Sequence, residues 1–265
     1  MTREEERGIV EKMIAQLQAE FAANDRKGLY ALIQKQMAYN SNKIEGSTLT
    51  SEQTASLFDT GTLYAEGDTI YRSKDIEEMT GHFKMFNHML KTLEQPLSEE
   101  LIKEFHYCLK VGVFEDAANG YPVGEYKNRA NQVSDIRTVL PKDIPAAMQR
   151  LLSRYENTTY DPLVLAQFHA EYEQIHPFQD GNGRTGRLLL LRQCLQHRRM
   201  PVIIQDEDKL TYYHVLHTAQ VDQDARPLAD YFIKRQHAFW EQVKEYLPQQ
   251  EPEKTTKPHR VTPKR

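Results

Sequence analysis

The sequence predicts an all-α protein, and three observations carry that prediction. Apolar residues recur at three- and four-residue steps through most of the chain, as in Ile9, Met13, Leu17 and Phe21, the stripe of a helix buried on one side. Helix-start chemistry precedes those stripes: Thr50 with Gln53 forms a capping-box pattern, and Ser98 stands ahead of Leu101 and Phe105. Only one stretch, Gly120 to Pro141, has the Gly/Pro/Asn punctuation around Val133, Ile136 and Val139 that suits a β-hairpin.

Taken in order, the stripe Ile9 to Phe21 gives the first helix. Leu29, Leu32, Ile33, Met37 and Ile44 give a second that ends at Gly46. A short third helix follows Thr50, and Gly61 to Arg72 is looser, with room for a turn or hairpin. Helix returns from Ser73 to Leu93 and again after Ser98. Beyond the hairpin stretch, helix resumes at Pro145 and after Asp161, where Val164, Phe168, Tyr172 and Ile175 form one buried stripe that Pro177 stops. Leu188 to Leu191 with Leu195 make a strongly apolar helix expected at the core centre, and two more cover Leu210–Ala219 and Pro227–Tyr246. The tail, 248–265, holds four prolines and almost no apolar residues, so disorder is expected there.

Composition narrows the function. With 34 Lys and Arg against 38 Asp and Glu, the net charge is −4, which argues against a strongly basic nucleic-acid binder. The basic residues of the tail read as a solvated terminus. No run of about 18 apolar residues exists to span a membrane, and charged Met1 to Arg7 lacks the apolar stretch of a signal peptide. Two cysteines, Cys108 and Cys194, cannot build a disulfide framework or a cysteine zinc site. A cytoplasmic location is the expectation.

Chemistry concentrates in His176-Pro-Phe-Gln-Asp-Gly-Asn-Gly-Arg-Thr-Gly-Arg187. The string contains G-x-G-x-x-G, but a helix and a proline precede it, whereas a dinucleotide site needs a strand. Gly181, Asn182 and Gly183 all tolerate positive φ, so they can turn successive N–H groups inward as an anion nest that opens onto the N-terminus of the next helix. Arg184 and Arg187, three apart, share a helical face and suit a polyphosphate. Asp180 is a lone carboxylate able to hold Mg²⁺ that phosphates also ligate. His176, at the loop entrance, can take a proton from an attacking hydroxyl.

These twelve residues match every fixed position of H-P-F-x-D/E-G-N-G-R-x-G-R, and the chain therefore resembles the Fic (Fido) family over about Leu97 to Arg235. Gly124-Glu-Tyr-Lys, Tyr212-Tyr213 and Pro227-Leu228 add to the likeness. The resemblance implies a Fic-type helical bundle with a small β-hairpin flap. It implies transfer of AMP from ATP to a Ser, Thr or Tyr hydroxyl of a protein, with Mg²⁺ as cofactor. Carried over, His176 resembles the catalytic base and Asp180 the metal ligand. Gly181, Asn182, Gly183, Arg184, Thr185, Gly186 and Arg187 resemble the ATP site, while Tyr212, Tyr213 and Gln220 are similar in position to residues on the adenosine side. Asp135, Ile136, Arg137 and Thr138 correspond to the flap that aligns the target segment. Gly183, where Fic-like kinases carry Lys, favours AMP transfer. The implied layout is an N-terminal helical region (1–96) with an inhibitory helix near 29–46, a catalytic core (97–235), the end of the last helix (236–247) and the disordered tail (248–265).

Ser41-Asn-Lys-Ile-Glu-Gly46 reads first as a helix ending at Gly46, yet it puts the Glu45 carboxylate at the unfavourable end of the helix dipole. The segment also resembles the Fic inhibitory motif, [S/T]-x-x-x-E-[G/N], with Ser41, Glu45 and Gly46 in place, and there the Glu pairs with the second signature arginine, here Arg187. Such a carboxylate holds the guanidinium that the γ-phosphate needs. His169 and His106 read as satisfied core or boundary histidines. The expectation is an autoinhibited adenylyltransferase acting on a hydroxyl-bearing protein, with self-modification and homo-oligomerisation left open, and with no nucleic-acid or membrane partner. The alternatives are a deAMPylase using Glu45 and His176, or a non-catalytic ATP-binding module.

Overall fold

A computed structural model describes residues 1–63, 70–133 and 136–247. Among them the helices run in the predicted order: α1 (Arg3–Ala22), α2 (Leu29–Ile44), α3 (Ser51–Thr60), α4 (Ser73–Lys91), α5 (Glu99–Lys110), α6 (Phe114–Asn119), α7 (Ile144–Tyr155), α8 (Pro162–Ile175), α9 (Asn182–Gln196), α10 (Lys209–Val221) and α11 (Arg226–Val243). The capping box at Thr50–Gln53 forms as read, and Ser98 caps α5 by accepting from the Leu101 N–H. α6 has no counterpart in the sequence reading, since six residues are too few to show a periodic stripe. The looser 64–69 stretch and the tail 248–265 lie outside the described residues.

The one sheet among the described residues is the expected hairpin. β1 (Gln132–Val133) pairs antiparallel with β2 (Ile136–Arg137), in the register Gln132 opposite Arg137 and Val133 opposite Ile136. Asp135, assigned to the flap, lies outside the described residues.

α9 is the centre, as its leucines predict. Every residue from Asn182 to Leu195 is buried except Gly183. α8 packs along α9, and α2, α4 and α5 close over its N-terminal part. One hydrophobic cluster runs from Val10 and Met13 in α1 through Phe105, Tyr172 and Leu189 to Phe232 in α11. The N-terminal helices therefore share a core with the helices around the motif. Among the described residues no helix is long and apolar enough to cross a membrane.

Candidate active site

α8 aims at the site and stops there. Its C-cap is His176, held at φ 52° and ψ 63°, a left-handed conformation that a non-glycine residue adopts only when its surroundings enforce it. The histidine N–H still closes the helix on Tyr172 O. Its Nδ1 lies 3.3 Å from Glu173 O, so Nδ1 carries the hydrogen and Nε2 is left as an acceptor. Burial, with nearby Lys127 adding to it, lowers the His176 pKa to about 4. The ring is therefore neutral, and able to accept a proton, near pH 7.

The loop from Pro177 to Gly181 is locked from both sides. Asn182 folds back to accept from Phe178 N–H at 2.8 Å and to donate to Phe178 O at 2.8 Å. The His106 ring stacks on Phe178 with centroids 3.8 Å apart. Gly124 N–H donates to His106 Nδ1 at 2.9 Å, so Nε2 holds the hydrogen and donates to Asp180 O at 3.0 Å. His106 is buried as read, but its work is to hold the loop. Gly181 alone supplies the positive φ, at 82°. Asn182 and Gly183, read as equally free to turn, are instead the first residues of α9. The nest is thus one left-handed residue followed by helix, with helical N–H groups at its floor.

Asp180 is more embedded than a lone loop carboxylate. Its Oδ1 accepts from Gly181 N–H, while Oδ2 accepts from Lys110 Nζ at 2.7 Å and lies 3.4 Å from Arg184. Burial pushes its pKa up, but Arg184 and Lys110 outweigh burial and hold the carboxyl well below the usual range. An ionised carboxylate, 35% exposed, is a hard oxygen donor of the kind Mg²⁺ takes alongside phosphate oxygens.

The two signature arginines are both buried. Arg184 forms an ion pair with Glu78 at 2.5 Å and approaches Asn42 Oδ1 at 3.5 Å. Arg187 is gripped by the end of α2: Nε donates to Ser41 Oγ at 3.0 Å, and one terminal nitrogen donates to Ser41 O at 3.0 Å and Glu45 Oε1 at 2.6 Å. Ser41 and Glu45, four apart, share a helical face. The helix ends as read, with Gly46 at φ 91°. Burial raises the Glu45 pKa, but Arg187 and Arg184 reverse it and leave the carboxyl below its ordinary value. A Cβ at Gly183 would lie 2.3 Å from Glu45 Oε1 and 3.0 Å from Arg187. The bare glycine is what lets the carboxylate lie over the start of α9.

Other motif residues serve as supports. Thr185 is fully buried and donates to Gly181 O at 3.0 Å. The Glu173 carboxylate packs against Gly186, and its Oε1 is buried with no hydrogen-bond partner. Burial, against the pull of Arg187, raises its pKa to about 7. Tyr212 is buried and its hydroxyl lies 2.8 Å from His169 Nε2, while Gln220 donates to Ala170 O at 3.2 Å. Tyr213 is the open member of the group, 39% exposed. Thr138 is buried at the foot of the hairpin, where Lys127 Nζ reaches it at 2.8 Å and Asn131 at 2.6 Å. Burial lowers the Lys127 pKa to about 8. Sequence reasoning missed Lys110 and Glu78 as parts of the site, and singled out Lys127 only within Gly124-Glu-Tyr-Lys, with no role. One signal existed for Lys110: Ile102, His106 and Lys110 follow each other at four-residue steps on the buried face of α5.

Residues 96–194 match the Fic/DOC family. The chain is 32% identical over 197 residues to the protein adenylyltransferase Fic of Drosophila willistoni, covering 72% of this chain and 38% of that one. It is 30% identical over 196 residues to the protein of the same name from Nematostella vectensis, covering 72% and 44%. The chain thus spans about two fifths of the length of these curated relatives. Among solved structures it is similar to a Fic-domain-containing signalling protein from Bacteroides thetaiotaomicron, with a TM-score of 0.72 and 27% identity over 88% of this chain and 97% of that one. A Fic family protein from Desulfovibrio desulfuricans shares the fold, with a TM-score of 0.65, 24% identity and coverage of 92% and 75%.

Proposed function

We propose that this chain, whose residues 96–194 match the Fic/DOC family, transfers AMP from ATP onto a hydroxyl side chain of a protein. The observation that carries the reading is His176, neutral and with Nε2 unprotonated, at the mouth of a nest flanked by two arginines. The hydroxyl oxygen attacks the α-phosphorus and its proton passes to His176 Nε2. The bond to the β-phosphate oxygen breaks and pyrophosphate leaves. The N–H groups at the start of α9 hold the phosphate oxygens, and Arg184 and Arg187 take the β/γ end. Asp180 would hold Mg²⁺, which supplies charge neutralisation on the phosphates when bound. The β1–β2 hairpin offers an edge to the target segment, and Tyr213 an exposed ring to the adenosine side.

In this reading Glu45 restrains the enzyme. Its carboxylate holds Arg187 at 2.6 Å, so a γ-phosphate competes with it for the same guanidinium. Hydrolysis of an AMP ester stays as the second reading, because Arg187 bonds only Oε1 of Glu45 and leaves Oε2 to orient a water. A cytoplasmic setting suits a substrate pair of ATP and an intracellular protein. The test is to incubate the protein and Glu45→Gly with labelled ATP and Mg²⁺, with and without lysate. Label on protein, absent in His176→Ala, is the expected result. ATP binding with no label from any variant overturns the transferase in favour of a binding module.

A further inference from the structure

Lys110 is a lysine with only 1% of its side chain exposed, and three carboxylates from three different parts of the fold converge on it. Nζ lies 2.6 Å from Glu78 of α4, 2.7 Å from Asp180 of the motif loop and 2.8 Å from Asp116 of α6. The Asp116 approach is an ion contact outside hydrogen-bond geometry, and Asp116 Oδ2 has no other partner. Glu78 and Asp116 are themselves buried. Three carboxylates held this closely, two of them buried, repel one another unless a cation sits among them. Oxygen donors arranged around one point are also what a hard divalent ion takes. Here the Lys110 ammonium occupies that point, 2.6–2.8 Å from all three carboxylates.

We propose that Lys110 is the resident cation of a three-carboxylate cluster, and that it makes divalent-metal capture at Asp180 conditional on a bound polyphosphate. The inference rests on the reading of Asp180 as the carboxylate that meets Mg²⁺. A free divalent ion approaching Asp180 meets Lys110 already on Oδ2, Arg184 at 3.4 Å and Lys74 at 3.9 Å, and like charge repels it. A polyphosphate brings several negative charges to the nest, and the local balance then admits the metal. Lys110 does not by itself aim Asp180. The backbone carbonyl is tied by His106 and Oδ1 accepts from Gly181 N–H. Removing the ammonium therefore leaves an oriented carboxylate beside two others, with no cation at their centre.

The experiment measures Mn²⁺ binding by electron paramagnetic resonance on the full chain, with and without an ATP analogue that cannot be cleaved at the α-phosphate. Wild type, Lys110→Met, Lys110→Arg, Asp180→Asn and the Lys110→Met/Asp180→Asn pair are compared at one ionic strength. Wild type is expected to bind Mn²⁺ weakly alone and at least ten-fold tighter with the analogue. Lys110→Met should bind it without nucleotide at least ten-fold tighter than wild type, and Mn²⁺ should raise its melting temperature in a manner EDTA reverses. Lys110→Arg should behave as wild type, and Asp180→Asn should abolish the gain. If Lys110→Met does not fold, Lys110→Met/Asp116→Asn, which removes one charge of each sign, is compared with Asp116→Asn and should show the same gain. Apo affinity within two-fold of the respective parent overturns the proposal, as does tight, Asp180-dependent binding to wild type without nucleotide. If the analogue tightens Mn²⁺ equally in wild type and Asp180→Asn, the metal reading of Asp180 fails, and the proposal with it.

Discussion

Arg184 and Arg187 stand one helical turn apart on α9, are both buried, and are held in opposite ways. Arg184 pairs with Glu78, whose side chain is 9% exposed and which also binds Lys110. That half of the site is a closed charge network inside the helices that build it. Arg187 pairs with Glu45, whose side chain is 32% exposed at the C-terminal end of α2, 142 residues away in sequence. The first arginine has a partner that cannot leave without stranding a buried charge; the second has a partner that solvent can receive. Two identical side chains at i and i+3 are therefore held differently: one inside a closed network of buried carboxylates, the other by a carboxylate that solvent reaches.

The largest expected effect bounds this comparison from outside, since neither arginine can act as a base. In a Glu45→Gly background, His176→Ala should lower AMP labelling by ~10²–10⁴ while leaving ATP binding within a few-fold. Residual labelling near the parent rate would place the base elsewhere. Next, Glu78→Gln should destabilise the fold by ~3–5 kcal/mol, because it leaves both Arg184 and Lys110 short of a buried counter-charge, whereas Glu45→Gln should cost less, ~1–3 kcal/mol, because Arg187 keeps its two bonds to Ser41. Urea denaturation of the two variants reads both values, and equal costs would break the comparison.

Activity should move the other way. Glu45→Gly should raise labelling ~10- to 100-fold, since a charge-assisted bond holds ~1.5–3 kcal/mol and about 1.4 kcal/mol is a factor of ten. Adding Arg187→Ala should cancel the gain by removing the phosphate ligand with the restraint. An unchanged rate in Glu45→Gly would reduce Glu45 to a helix-end residue.

The smallest effect is in pH. The Glu45 pKa is lowered by its arginines, so the stability it contributes is present above its ordinary value of 4.5 and is lost only as pH falls below that. Glu173, raised to about 7, has the reverse sign. Its contribution is fullest below 4.5 and is lost as pH rises through 7. The melting-temperature difference of Glu173→Gln over wild type should therefore grow from pH 4 to pH 8. A flat difference would show that Glu173 ionises freely.

Much of the fold was legible because local rules and the global arrangement agree. The Thr50–Gln53 box, the Ser98 cap, the Pro177 stop and the leucine run of α9 each act over one turn of chain, so the sequence displays them directly. The motif loop was legible for the same reason, being a single contiguous string. Its supports were not. Lys110, Glu78 and Asp116 lie on three helices with unrelated sequence neighbourhoods, and only packing brings their charges within 3 Å of one point. The conformations of Asn182 and Gly183 were misread because tolerance of positive φ is permission, and helix propagation from Gly181 took both residues instead. Glu45 was readable as a helix-end carboxylate with an awkward dipole, but Asn42 reaching Arg184 from the same turn was not.

The way α2 is seated sets the scale of any motion that frees Arg187. Tyr30, Ile33, Met37 and Ile44 are all buried in the common core, Ile44 at 1% exposure, and Ser47 N–H ties back to Asn42 O at 3.0 Å. The helix cannot swing away without opening that core. What can move without opening it is the Glu45 side chain, whose rotamer changes belong to the picosecond-to-nanosecond range rather than to domain opening. Under the function proposed above, restraint of this kind is a competition for one guanidinium, settled by the local concentration of carboxylate against phosphate. Its strength is then tunable in small steps, by any contact that biases a single rotamer at the end of one helix.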